Sequence, residues 1–412
     1  MIKILSQSKK QTEANFNKAK QGLESFLERT DIGFPNLPQR ESLWSSSQKL
    51  GQELRAGFTD VVVIGIGGSS LGGRVVQEIF QKPNSKHRLH FCDNVDSAEF
   101  ERMLSGLDDL NRTAWLAVSK SGSTIETLMA VDLAHNLYQG KGISFFPNLY
   151  MITENKKNPL KDLADQHSRP ALEIPLDVGG RFSVLSPVGM VLAAYLGQNV
   201  QEFSSGAKKA LAQKELIAQV SAFTLDSYDR GEWITLFWFY SSWMKNFGGW
   251  LQQLWAESLG KKLDRKGGPA SRASTPVAAI GACDQHSILQ QVMEGTRDKF
   301  VIFTRIKTAE ADQFILRSSL FPSQKFLEGK SMGQLLGAEA IATAQSLSES
   351  GVSTLTLELN DLSAQSVGEF FMFWQMVVAT LGECLDINAF DQPGVELGKR
   401  LARDIISRYE FT

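Results

Sequence analysis

Cysteine is scarce in this chain of 412 residues. Its three cysteines, Cys92, Cys283 and Cys384, are far apart and odd in number. Neither a disulfide framework nor a Cys-x-x-Cys zinc knuckle is expected; free buried thiols in a reducing compartment are. Histidine is almost as sparse: His87, His90, His135, His167 and His286. None stands in an H-E-x-x-H arrangement, and His87 and His90 lack acidic or thiol neighbours in a ligand pattern. No protein-built metal site is expected. Long apolar runs are missing too. The most apolar segment, WITLFWFYSSW (233–243), is roughly half of the ~20 residues a membrane span needs, and Lys245 follows it. It reads as a buried strand running into a buried helix. The first twenty residues hold no apolar stretch suited to a signal peptide, so a cytoplasmic location is expected. Charge of one sign does not accumulate either. The net charge is −2 with no long basic or acidic run, which gives a nucleic-acid partner no electrostatic support.

What is present is an ordinary globular composition on a chain too long for one simple core, so two domains are expected. Residues 8–28 are polar with helical spacing and suggest an N-terminal arm. The period then changes. VVVIGIG (61–67), LHFC (89–92), TAWLAVS (113–119) and NLYMIT (148–153) are short apolar runs, separated by helical patterns over 71–80, 97–106 and 122–137. A later series places strands at 232–240, 276–281, 299–304 and 352–359. Helices are expected up to about Gly260 and over 330–347, 363–385 and 394–409. Strand–helix alternation with short connections implies an α/β fold with parallel sheets. The expected division is a helical arm (1–40), two α/β domains (41–195 and 196–385) and a C-terminal helical segment (386–412).

Two loops carry the first chemical signal. IGIGGSSLGGR (64–74) follows a buried strand and opens a helix. Its glycines permit close backbone approach, and a helix start directs N–H groups and positive potential at an anion. A dinucleotide fingerprint would need glycine where Ser70 stands, although Asp93 does follow the second strand. On this loop alone the two readings stay open. VSKSGSTIETL (118–128) repeats the strand–loop–helix arrangement with Ser119, Ser121, Ser123 and Thr124 around one helix start. One hydroxyl suffices for an N-cap. Four, beside a second glycine loop, fit enclosure of one phosphate monoester better.

With these loops the chain resembles the sugar isomerase (SIS) domain, which binds phosphosugars. Further segments narrow the likeness. DVGGRFSVLSPVGM (177–190) and FDQPGVELGKR (390–400) are similar to the two signatures of the phosphoglucose isomerase family. QQLWAESLGKK (252–262) and DQHS (284–287) are similar to the segments that hold that family's catalytic glutamate and histidine. The likeness runs in order from about 60 to 400. It departs at Leu259, where family members commonly have Asn, and at Pro393, where an aromatic is frequent, and the chain is short for the family.

The resemblance implies two SIS-type three-layer α/β/α domains with parallel sheets. It implies a cofactor-free, metal-free aldose–ketose isomerase acting on glucose 6-phosphate and fructose 6-phosphate in glycolysis and gluconeogenesis. It gives Glu257 the role of base between C2 and C1. On residues alone Glu257 is a helix-surface glutamate facing Lys261 four residues on. Gln253, one turn earlier, would orient substrate. Arg181 would stabilise the enediolate, or merely tie down its glycine-flanked loop. His286 and Lys399 would open the ring, with His286 supplied by the neighbouring subunit of a homodimer. Gln392 would contact the substrate. Gly68, Ser69, Ser119, Lys120, Ser121 and Thr124 would hold the phosphate. Other readings are acceptance of mannose 6-phosphate, a phosphosugar-sensing regulator, and a dinucleotide-dependent oxidoreductase. The set Arg181, Glu257, His286 and Lys399 argues against the regulator. Ser70 and the hydroxyl-rich second loop argue against the oxidoreductase.

Overall fold

Five consecutive buried residues, Asp60–Ile64, form a strand covered on both faces, as an unbroken apolar run requires. The same logic repeats through the computed structural model, which describes residues 2–307 and 312–409. The first half runs β1 (Lys3–Gln7), α1 (Glu13–Leu27), α2 (Glu41–Gly57), β2 (Asp60–Ile64), α3 (Leu71–Phe80), β3 (Arg88–Cys92), α4 (Ser97–Ser105), β4 (Thr113–Val118), α5 (Ile125–Gly140), β5 (Leu149–Thr153), α6 (Pro159–Gln166), β6 (Ala171–Glu173) and α7 (Pro187–Tyr195). The second half runs α8 (Val200–Ala212), α9 (Lys214–Asp229), β7 (Ile234–Tyr240), α10 (Lys245–Leu259), β8 (Thr275–Ile280), α11 (Leu289–Glu294), β9 (Lys299–Ile306), α12 (Met332–Glu349), β10 (Ser353–Leu359), α13 (Ala364–Cys384) and α14 (Glu396–Ile406).

Two five-stranded sheets result. One has the order β3-β2-β4-β5-β6 and is parallel throughout. The other has the order β1-β10-β9-β7-β8, parallel except for β1. In each, the first strand of the alternating series lies between the second and third. That arrangement opens a crevice at the carboxyl ends of the strands. Alternation along the strands assigns the layers. Val61 and Val63 of β2, and Phe237 and Phe239 of β7, face one large core shared by the two sheets. Val62 and Ile64 face an outer core under α5 and α6. Leu236 and Trp238 face another under α12. The inner helices, including α3, α7, α8, α10 and α13, therefore sit between the sheets and bring their loops together.

The N-terminal stretch departs from a purely helical arm. β1 pairs antiparallel with β10, Lys3 lies 2.9 Å from Glu358, and the Ile2 amide donates to buried Glu369 at 2.9 Å. Such an edge strand, mostly exposed, shows no apolar alternation to read. α1 packs on its own chain: Ala19 is buried with Ala218 and Ala222 of α9. The cysteines also depart from expectation at one position. Cys92 and Cys384 are buried, and burial pushes each thiol up to about 11, whereas Cys283 is exposed.

Candidate active site

β2 and β4 are neighbours, with Ile64 opposite Ala117, so the loops that leave their carboxyl ends lie side by side. Ser70 and Thr124 occupy the N-cap positions of α3 and α5, yet neither side chain makes a cap hydrogen bond. The hydroxyls brace their own loops instead, with Ser70 Oγ donating to the Gly67 carbonyl at 3.3 Å. Ser119 Oγ accepts from the Gly122 amide at 3.1 Å and lies 2.9 Å from Thr124 Oγ1. Ser121 Oγ accepts from the Ser123 amide at 3.3 Å. Two helix starts thus present N–H groups without a side-chain cap, the arrangement that receives anions. Lys120 leans across the loop, 3.4 Å from Glu154 and from the Leu176 carbonyl. Ser69 is half-buried at the turn Gly67–Ser69.

Glycine is required at two positions of the first loop. Gly67 has φ +59°, and a Cβ there would lie 2.8 Å from Gln253 Nε2. A Cβ on Gly68 would collide with the Gly180 carbonyl and lie 2.8 Å from the Arg181 amide. The phosphate-type loop is therefore seated directly on α10 and on the 177–183 loop. Gly68→Ala is expected to cost about 1–3 kcal/mol of stability through this overlap, read as a lower midpoint in urea. An unchanged midpoint would mean that the loops are not pressed together.

Arg181 is the centre of the constellation. Its loop is fixed from two sides: Asp177 pairs with Arg40, with one hydrogen bond at 2.9 Å, and Phe182 stacks on Phe34 at 4.7 Å between centroids. Arg181 is 5% exposed, and its guanidinium has five acceptors for its five N–H donors. Nε donates to Ser258 Oγ at 2.8 Å; Nη1 donates to Glu257 Oε2 at 3.2 Å and to Gln392 Oε1 at 3.4 Å. Nη2 donates to the carbonyls of Ala389 at 2.7 Å and Asp391 at 2.9 Å. Burial pulls the Arg181 pKa down, and the Glu257 carboxylate opposes that shift. One helical turn before Glu257, Gln253 Nε2 donates to Glu257 Oε1 at 3.2 Å. Gln253 thus touches both the base candidate and the glycine loop.

Arg181, Gln253, Glu257 and Gln392 are brought together, next to Gly68. The remaining two candidates stand on other elements. His286 ends a short turn after β8, is exposed, and makes no hydrogen bond to Arg181 or Glu257 among the described residues. Lys399 is exposed on α14. Glu257 pairs with Arg181, whereas Lys261 pairs with Asp391 at 2.9 Å, so the helix-surface pair Glu257–Lys261 is not what forms. Ser258 and Asp391 were not singled out from the sequence, and Lys261 entered only as a surface partner for Glu257. Ser258 and Lys261 lie within the segment that carries Glu257, and that proximity was the available signal.

The phosphoglucose isomerase family model matches residues 42–411 of this chain. A glucose-6-phosphate isomerase from Carboxydothermus hydrogenoformans is 32% identical over 421 aligned residues, covering 96% of this chain and 89% of that protein. The crystal structure of a hypothetical protein from Thermus thermophilus matches with a TM-score of 0.89 and 32% identity, covering 99% of this chain and 100% of that one. A glucose-6-phosphate isomerase structure from Chlamydia trachomatis matches with a TM-score of 0.75 and 29% identity, covering 90% of this chain and 74% of that one.

Proposed function

This chain belongs to the phosphoglucose isomerase family, and from that premise we propose how its residues divide the interconversion of D-glucose 6-phosphate and D-fructose 6-phosphate. The reaction is an aldose–ketose isomerisation. After ring opening, a proton leaves C2 and one arrives at C1, while a hydroxyl proton moves from O2 to O1. C2 is oxidised as C1 is reduced within one molecule, so no external redox partner is consumed. Glu257 takes and returns the carbon-bound proton. Arg181 supplies the fixed positive charge beside the developing enediolate. Its longest hydrogen bond, to Gln392 at 3.4 Å, is the one a substrate oxygen displaces most easily. Gln253 and Gln392 orient the sugar. The Gly68 amide and Ser69, Ser119, Lys120, Ser121 and Thr124 hold the phosphate, whose binding energy positions the reacting carbons. His286 and Lys399 move the proton at the ring oxygen.

The observation that carries this reading is the position of Gln253. It lies 3.2 Å from Glu257 and against Gly67, so a single side chain joins the phosphate loop to the base. Conversion of fructose 6-phosphate to glucose 6-phosphate by the purified chain in chelator tests it. A folded protein that binds the sugar phosphate without converting it would point to a sensing regulator.

His286 is exposed at the end of its turn and makes no hydrogen bond to Arg181 or Glu257 among the described residues, and its supply by a second copy in a homodimer is part of this reading. Exposed apolar side chains offer the surface: Phe314, Leu320, Phe321, Phe326 and Met332 on one segment, and Leu397, Leu401 and Ile405 along α14. Glu257→Gln and His286→Ala variants, each inactive alone, are expected to recover about a quarter of the parental activity when dissociated and reassembled together, because half the dimers then hold one intact site. No recovery would place His286 in the same chain's site. We place the division near residue 195, between the units built on the two sheets, with β1 pairing in the second sheet and residues 389–392 meeting Arg181. We place its work in the cytoplasm. Among the described residues no helix is long and apolar enough to cross a membrane.

A further inference from the structure

Beyond Phe390 the chain leaves the core. Residues 391–395 and 397–409 are exposed, yet this stretch carries Gln392 and Lys399. Two buried cations grip it where it departs. Lys261 Nζ donates to the Asp391 carbonyl and lies 2.9 Å from Asp391 Oδ1. Arg181 Nη2 donates to the same carbonyl at 2.9 Å. The Lys261 side chain is only 7% exposed, and Asn388 Nδ2 adds a hydrogen bond to Asp391 Oδ2 at 3.0 Å. Lys261 follows the last turn of the helix that bears Glu257. A charge buried beside the Arg181 cation has a cost, and the Asp391 carboxylate offsets it.

Resting on the isomerase reading, we infer that Lys261 is a positioning residue for the reaction: acting through Asp391, it fixes Gln392 and the start of α14 relative to Arg181 and Glu257. The ammonium ties the helix of the base to the segment of the substrate-orienting glutamine. The exposed stretch after Asp391 has few buried side chains of its own to hold it in register.

The test uses the full-length chain, with the isomerase activity of the unaltered protein established first, so that failure of the reading as a whole is seen separately. Lys261→Met keeps the stem and removes the charge. It is expected to lower kcat/KM for fructose 6-phosphate by about tenfold or more, and Lys261→Arg is expected to recover most of that loss. In a Gln392→Ala background, Lys261→Met should cause little further loss, because the two act as one unit. Hydrogen exchange of the amides over 392–406 should quicken in Lys261→Met while that of β2 and β4 does not. Should Lys261→Met fail to fold, Asp391→Asn, altered at a half-exposed side chain, carries the same expectations. Unchanged kcat/KM in the folded variant, or a loss that persists undiminished in the Gln392→Ala background, would overturn the inference.

Discussion

Glu257→Gln is expected to lower kcat for fructose 6-phosphate by about 10²–10⁴-fold, the usual range for removing a general base. Glutamine preserves length and volume, and its amide can still meet Gln253, which lies 3.2 Å from Glu257 Oε1. What disappears is the proton acceptor and the charge that faces Arg181 at 3.2 Å. The phosphate loops are untouched, so KM should stay within a few fold. The side chain is 30% exposed, so the fold should survive and the unfolding midpoint should move little. Measured in chelator, the parent and variant separate two ideas. A folded variant with near-parental kcat would remove Glu257 from the proton path. A collapse of kcat with KM retained would place it there.

The sequence displays some of this site and hides the rest for physical reasons. β2 and β4 were legible because an unbroken β-branched or apolar run ending in glycine or serine has few other uses in an α/β domain. The expected strands at 89–92 and 299–304 emerged as β3 and β9 on the same grounds. β1 was hidden because an exposed edge strand needs no apolar alternation, and β6, three residues long, is too short to show a period. The hydroxyls of the second loop were legible as a cluster, but not their task. Ser119 braces the turn, and α5 starts without a side-chain cap, a distinction that composition cannot make. The environment of Arg181 was the least legible part. Two of its acceptors are the backbone carbonyls of Ala389 and Asp391, which any residue would supply. Its pairing with Glu257 spans 76 positions, beyond any local pattern. The family resemblance named both residues, but only the fold shows one guanidinium holding Glu257, its neighbour Ser258 and the 389–392 segment at once.

That concentration of contacts makes Arg181 the position of largest combined effect. Arg181→Ala would leave the carboxylate of Glu257 without its cation and strand two carbonyls and Ser258 Oγ. Breaking a buried pair in this way costs about 3–5 kcal/mol. Because Glu257 is partly exposed, the lower end is expected, read as a fall in the urea midpoint. Arg181→Lys separates structure from chemistry. Lysine keeps the positive charge, but three donors on a single atom cannot replace a fork that serves five acceptors. Stability should fall by about 1–3 kcal/mol as some of those acceptors go unsatisfied. Activity should fall further in proportion, with kcat down about 10²–10³-fold, as when a preorganised donor at a developing oxyanion is lost. If Arg181→Lys instead kept kcat near the parental value while losing stability, the guanidinium would be a tie for the 389–392 segment alone. The cation beside the enediolate would then have to come from another residue, with Lys399 the first to test.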